Sequence, residues 1–115
     1  MEEEKRVFTA YIGEVDIQEW TQGIGKAILM PILLKTCEEV IIDELEEERA
    51  ARIEFLMRGK SKSVDFLVRR DGIDDTLNKI MEWSLEEEHY EMCSKVKGLQ
   101  DYLERLQNED FSYRG

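Results

Sequence analysis

The sequence predicts an α+β fold: a small antiparallel sheet of about three strands packed with one long helix and a C-terminal helical hairpin. Three observations predict it. β-branched and aromatic residues alternate with small ones from Arg6 to Val15, and β-formers recur in two short runs between Ile53 and Val68. Apolar residues at helical spacing run from Leu29 to Leu45. Two further helical stripes follow Asp74, separated by the polar segment EEEHYE.

Residues 6–15 (RVFTAYIGEV) carry the two-residue period of a strand. Asp16 is placed to cap a short helical turn through Ile17 and Trp20, which the Gly23–Gly25 region ends, and Trp20 is expected to anchor the core. The main core helix is expected over 26–48, where Leu29, Leu33, Cys37, Val40, Ile41 and Leu45 share a stripe. Pro31 fits its first turn, where a missing N–H matters least. The helix becomes acidic at Glu44 to Glu48, and Arg49 and Arg52 follow, a sign order that suits the C-terminal end of a helix dipole.

A β-hairpin is expected over 53–68, with Ile53, Phe55 and Met57 on one face, Val64, Phe66 and Val68 on another, and RGKSKS as the connection. The rival is continuation of the long helix through Leu56. The chain then turns at Arg70, Asp71 and Gly72, and Asp74 or Asp75 caps the helices of 74–107. Ile73, Leu77, Ile80, Met81 and Leu85 make the first stripe; Met92, Val96, Leu99, Leu103 and Leu106 make the second. Stripes separated by a short polar break build an antiparallel helical hairpin.

A chain of 115 residues fits one domain, 1–115, able to bury roughly 65% of its unfolded surface. It carries 27 acidic against 16 basic residues, a net charge of -11, which opposes general adhesion to nucleic acid or anionic membrane. The run AILMPILL stops at Lys35, far short of the ~20 residues a bilayer requires, and MEEEKR lacks the basic-then-apolar order of a signal peptide. The expectation is a cytoplasmic protein without a membrane partner. Cys37 and Cys93 both fall in helical apolar patterns and are expected to be reduced and buried.

Three enzyme-like patterns occur in the chain. Gly23-Ile24-Gly25-Lys26 has the flavour of a phosphate loop, but the glycine-bounded turn is too short and Ala27 stands where a magnesium-binding Ser or Thr is needed. His89 and Cys93, four apart, could share a helix face as metal ligands or as base and nucleophile. A closed zinc site would also need carboxylates, since the chain has one His and Cys37 is the other thiol. Cys93 filling a small-residue helix crossing is the plainer reading. Glu44 and Glu48 have the spacing of paired acids on one face, but a solvated face is the default in so acidic a run. The expectation is no catalytic residue, metal or cofactor.

From Met81 to Leu106 the order of residues resembles the UVR motif, a short helical hairpin of nucleotide-excision-repair proteins and of activators and adaptors of bacterial proteolytic machinery. Met81 and Ser84 stand at its first-helix positions, and Glu88, Tyr90, Glu91, Cys93, Ser94 and Val96 follow its order of acidic, aromatic, Glu, two small residues and an aliphatic. Lys97 and Gly98 stand where the family usually has Arg-Asp. The resemblance covers under a quarter of the chain and implies a protein-binding hairpin, with the aromatic at the Tyr90 position in the partner interface.

The leading expectation is therefore non-catalytic binding to another protein, as an adaptor or inhibitor, with Trp83, Glu88, Tyr90, Glu91, Lys97 and Tyr102 as the candidate contact residues. The alternative is nucleic-acid or nucleotide binding through the cationic middle: Arg58, Lys60 and Lys62 at the hairpin tip, Arg69 and Arg70 at its far end. Phe55 or Phe66 could stack on bases only if they faced outward. Against this, Lys and Arg commonly guard strand edges. A third class is an acidic DNA mimic, whose surface the basic middle would interrupt. Homodimerisation through an unpaired strand or the helical hairpin is open as well.

Overall fold

A computed structural model describes residues 7–13 and 15–114, with side-chain surroundings through Leu106. Arg6 and Glu14, both within the expected strand 6–15, lie outside the described residues, and Val15 lies beyond the strand's end at Gly13. In chain order the elements are β1 (Val7–Gly13), α1 (Ile17–Gln22), α2 (Gly25–Ile42), β2 (Glu47–Met57), β3 (Lys60–Arg69), a single 3-10 turn (Arg70–Gly72), α3 (Ile73–Glu86) and α4 (Tyr90–Arg114). The α+β class and the C-terminal helical hairpin are as the sequence predicts.

Among the described residues the sheet has three strands in the order β1-β2-β3, but it is mixed and not wholly antiparallel, because β1 runs parallel to β2. The connection explains this. A tight turn returns a chain antiparallel, whereas the α1 and α2 segment carries it back to the starting end of the sheet, so β2 sets off in the direction of β1. β2 and β3 form the expected hairpin, and the rival continuous helix is absent. Its turn is only Arg58-Gly59, with Met57 opposite Lys60 and Gly59 at φ 76°. Lys60 and Lys62 are therefore the first residues of a strand and not a loop tip.

Two further boundaries differ from expectation. α2 ends at Ile42 and does not continue to residue 48, since Glu47 to Arg52 belong to β2. Val40 O accepts from Leu45 N at 2.9 Å while Glu44 takes φ 54°, so the chain leaves the helix through a left-handed cap and Leu45 folds back on the core. Pro31 lies in the interior of α2 and not in its first turn, because Gly25 begins the helix. Its position forfeits one intrahelical hydrogen bond, and the burial of α2 on two sides offsets that loss.

That burial is the organising feature. Leu29 packs with Ile12, Ala51, Ile53 and Phe55, while Leu34, Cys37, Val40 and Ile41 pack with Ala50, Val68, Ile73, Leu77, Ile80 and Val96. Ile32 and Leu33 touch both groups, so α2 joins a sheet core to a helical core. The strand is shaped to match. Arg49 pairs with Leu67 and Ala51 with Phe66, leaving Ala50 as a bulge, and both alanines are buried, one in each core.

All helices lie on one side of the sheet, the side of Ala10, Ile12, Ile53, Phe55, Val64 and Phe66. The opposite side is open to solvent. It carries Val7, Thr9 and Tyr11 from β1, Arg49, Arg52, Glu54 and Leu56 from β2, and Ser63, Asp65 and Leu67 from β3. Arg52 grips Asp65 through two hydrogen bonds, Nε to Oδ1 at 2.7 Å and Nη2 to Oδ2 at 3.2 Å. The Arg52 guanidinium holds that carboxyl below its ordinary range, with Arg49, 4.0 Å away, adding to the effect. Being exposed, the pair fixes register more than it adds stability.

Candidate functional site

The connection between α3 and α4 is three residues long, Glu87 to His89, and its geometry follows from a helix cap. Glu88 N donates to Leu85 O at 3.2 Å and His89 N donates to Ser84 O at 2.8 Å. These are the two bonds of a Schellman cap, which demands a left-handed residue, and Glu88 sits there at φ 60°. His89 then leads into α4, its carbonyl accepting from Met92 N and Cys93 N, both at 3.1 Å. Its imidazole stacks on Trp83, with centroids 5.0 Å apart and planes at 22°. The corner is thus pinned from both sides.

Trp83 is only 8% exposed, so it forms the floor under His89 and not an exposed anchor. Tyr90 is 63% exposed, and Leu85, which the helical period assigned to the buried stripe, is 54% exposed. The apolar stripe of α3 ends at Ser84, which is fully buried, and Leu85 lies one step round the helix beyond it. Glu86, Glu87, Glu88 and Glu91 are all exposed around these two side chains. Leu85 is the candidate contact that sequence periodicity conceals, because a residue at the end of a stripe reads the same whether or not a neighbour covers it.

Further along α4, Lys97 is exposed and pairs with Asp101 at 3.6 Å, one turn on. Tyr102 is half-buried and packs against the helical core together with Leu99 and Leu103. Gln100 Nε2 donates to Asn78 Oδ1 at 3.0 Å, tying α4 to α3 away from the corner. Of the six expected contact residues, Glu88, Tyr90 and Glu91 gather at the corner, Trp83 supports it, and Lys97 and Tyr102 lie along α4.

The cationic residues are not brought together. Arg58 and Lys60 stand at the turn end of the hairpin, whereas Arg69 and Arg70 stand at the other end of a ten-residue strand, roughly 30 Å away. Lys62 is opposite Phe55, at the distal end of the helix-covered side. Arg69 is engaged by Glu47 and Asp71, each at 3.7 Å. Phe55 is completely buried and Phe66 half-buried against the same core, so neither offers an outward face for stacking on a base.

The two cysteines sit in different surroundings. Cys37 lies in the helical core, and burial pushes its thiol up to about 12, so it stays protonated. Cys93 is half-exposed and not buried as expected. Among the described residues, no three His, Cys, Asp or Glu side chains are grouped to hold a metal ion, and no helix is long and apolar enough to cross a membrane. No family model, curated protein or solved structure matches the chain.

The cap supplies a test of its own. Glu at a left-handed position is strained where Gly is not, so Glu88→Gly is expected to raise stability by about 1 kcal/mol. Urea denaturation followed by circular dichroism measures it. Destabilisation would mean that the Glu88 side chain makes contacts that outweigh the backbone strain.

Proposed function

We propose that this chain is a non-catalytic protein-binding module, an adaptor or inhibitor, that engages its partner through the corner between α3 and α4. The observation that carries this reading is that two exposed side chains, Leu85 at the end of α3 and Tyr90 at the start of α4, flank a turn held by the Schellman cap and the Trp83–His89 stack. Rigid, exposed aromatics lose little entropy on binding and dominate interface energies. The surrounding carboxylates of Glu86, Glu87, Glu88 and Glu91 suit a partner whose apolar pocket is rimmed by Lys or Arg. The resemblance of Met81 to Leu106 to the UVR hairpin agrees with it, since that family's aromatic falls at Tyr90.

Tyr90→Ala is the test. With the partner captured by the full chain from its native host, the substitution is expected to weaken binding roughly thirtyfold, the effect of a hot-spot residue worth at least ~2 kcal/mol. Glu88→Gly should combine a more stable fold with weaker binding. Full affinity in Tyr90→Ala, with an unchanged circular dichroism spectrum, would remove the corner from the interface. Binding through the corner should also survive moderate salt, because its centre is apolar; abolition by modest salt would favour the acidic-mimic class.

A further inference from the structure

The two edges of the sheet are built differently. β3 presents Lys60, Lys62, Asp65 and Arg69 along its length, charges of the kind that guard an edge against further pairing. β1, with the sequence VFTAYIG, has no charged residue and no proline, and among the described residues it lies at the edge of the sheet with β2 as its one neighbouring strand. Ile12 is buried in the sheet core, but three other large side chains of the strand are exposed, Val7 at 39%, Phe8 at 38% and Tyr11 at 81%. An edge strand also carries a row of outward N–H and C=O groups that only another strand can pair in order.

We infer that β1 is a self-association edge, pairing antiparallel with β1 of a second copy about a two-fold axis at Thr9 to make a continuous six-stranded sheet. The occupant follows from the strand's own pattern. With Thr9 opposite its symmetry mate, Val7 falls opposite the second copy's Tyr11 on the open side, and Phe8 falls opposite the second copy's Ala10 on the helix side. Each exposed side chain thereby gains a partner: Phe8 is set against the small Ala10 on one side, and on the other Tyr11 meets Val7, an aromatic against a β-branched residue, a pairing that stabilises antiparallel strands. This self-complementarity is what a two-fold interface requires. Charge points the same way. At a net charge of -11 two copies repel, and an uncharged strand is a surface on which they can approach.

The surface is separate from the α3–α4 corner: β1 contributes to the sheet core, whereas α3 and α4 contribute to the helical core. The dimer rests on one strand pair, so it is a weak, concentration-dependent one. Because like-charged chains oppose it, raising the salt concentration strengthens it, the opposite of an association held by ion pairs.

Analytical ultracentrifugation of the full chain over a hundredfold concentration range, at low and moderate salt, tests the inference. The wild type is expected to show reversible dimerisation that increases with salt, and Tyr11→Lys, which puts a charge on an 81% exposed position, is expected to weaken it at least about tenfold without altering the circular dichroism spectrum. In a Cys93→Ser background, a short bis-maleimide should join Thr9→Cys chains into dimers and leave Ser63→Cys chains, on β3, unlinked. A monomer at every concentration overturns the inference. So does a dimer indifferent to Tyr11→Lys, or one linked as readily through Ser63→Cys, since either places the interface elsewhere.

Discussion

Phe55→Ala is expected to remove about 3–5 kcal/mol of stability, a large part of the total for a domain of this size. Phe55 is fully buried at the centre of the sheet core, sharing it with Ile12, Leu29, Ala51 and Ile53. Trp20 meets it edge to face at a centroid distance of 5.1 Å and an interplanar angle of 80°. That geometry adds about 0.5–1.5 kcal/mol beyond the area buried. Truncation leaves a cavity that β2 cannot close by moving, because β2 is the central strand, held by β1 on one side and β3 on the other. Equilibrium urea unfolding measures the change, and Phe55→Leu should recover more than half of it by refilling the space. A loss under about 1 kcal/mol for Phe55→Ala would show that the sheet core is looser than its burial implies.

Periodicity made the helical half of this fold legible and left the sheet half partly hidden. The stripe Ile73, Leu77, Ile80 and the later Val96 are buried as their spacing predicts, because one continuous face of each helix meets the core. β2 was harder to read. Its first six residues, EERAAR, have the composition of a helix end, and the strand is recognisable there only from across the sheet, where Arg69 faces Glu47 and Asp65 faces Arg52. Cross-strand partners are distant in sequence, so no local pattern announces them. The parallel pairing of β1 with β2 was hidden for the same reason. At the corner, the acidic turn and Tyr90 were readable, whereas the exposure of Leu85 and the burial of Trp83 depend on where α4 crosses α3.

The Gly23-Ile24-Gly25-Lys26 string shows how a motif with a chemical look can be a packing device. Gly25 is buried at the start of α2, and a Cβ placed on it would lie 2.5 Å from both Cε3 and Cζ3 of Trp20. Carbon atoms prefer about 3.5–4.0 Å, so one of the two must move. Trp20 has little freedom to do so, since its ring is held against Phe55. Gly25→Ala is therefore expected to destabilise by about 1–3 kcal/mol, even though alanine in a helix would by itself favour folding by ~1 kcal/mol. Gly25→Val should be worse. The cause is separable by a double-mutant cycle: in a Trp20→Leu background, where the ring is gone, Gly25→Ala should become neutral or mildly stabilising. An unchanged penalty in that background would locate the constraint in the backbone between α1 and α2 and not in the tryptophan. If the cycle closes as expected, Gly25 is there because Trp20 lies against the first turn of α2, and the glycine that resembles part of a phosphate loop serves to bring that ring onto the sheet.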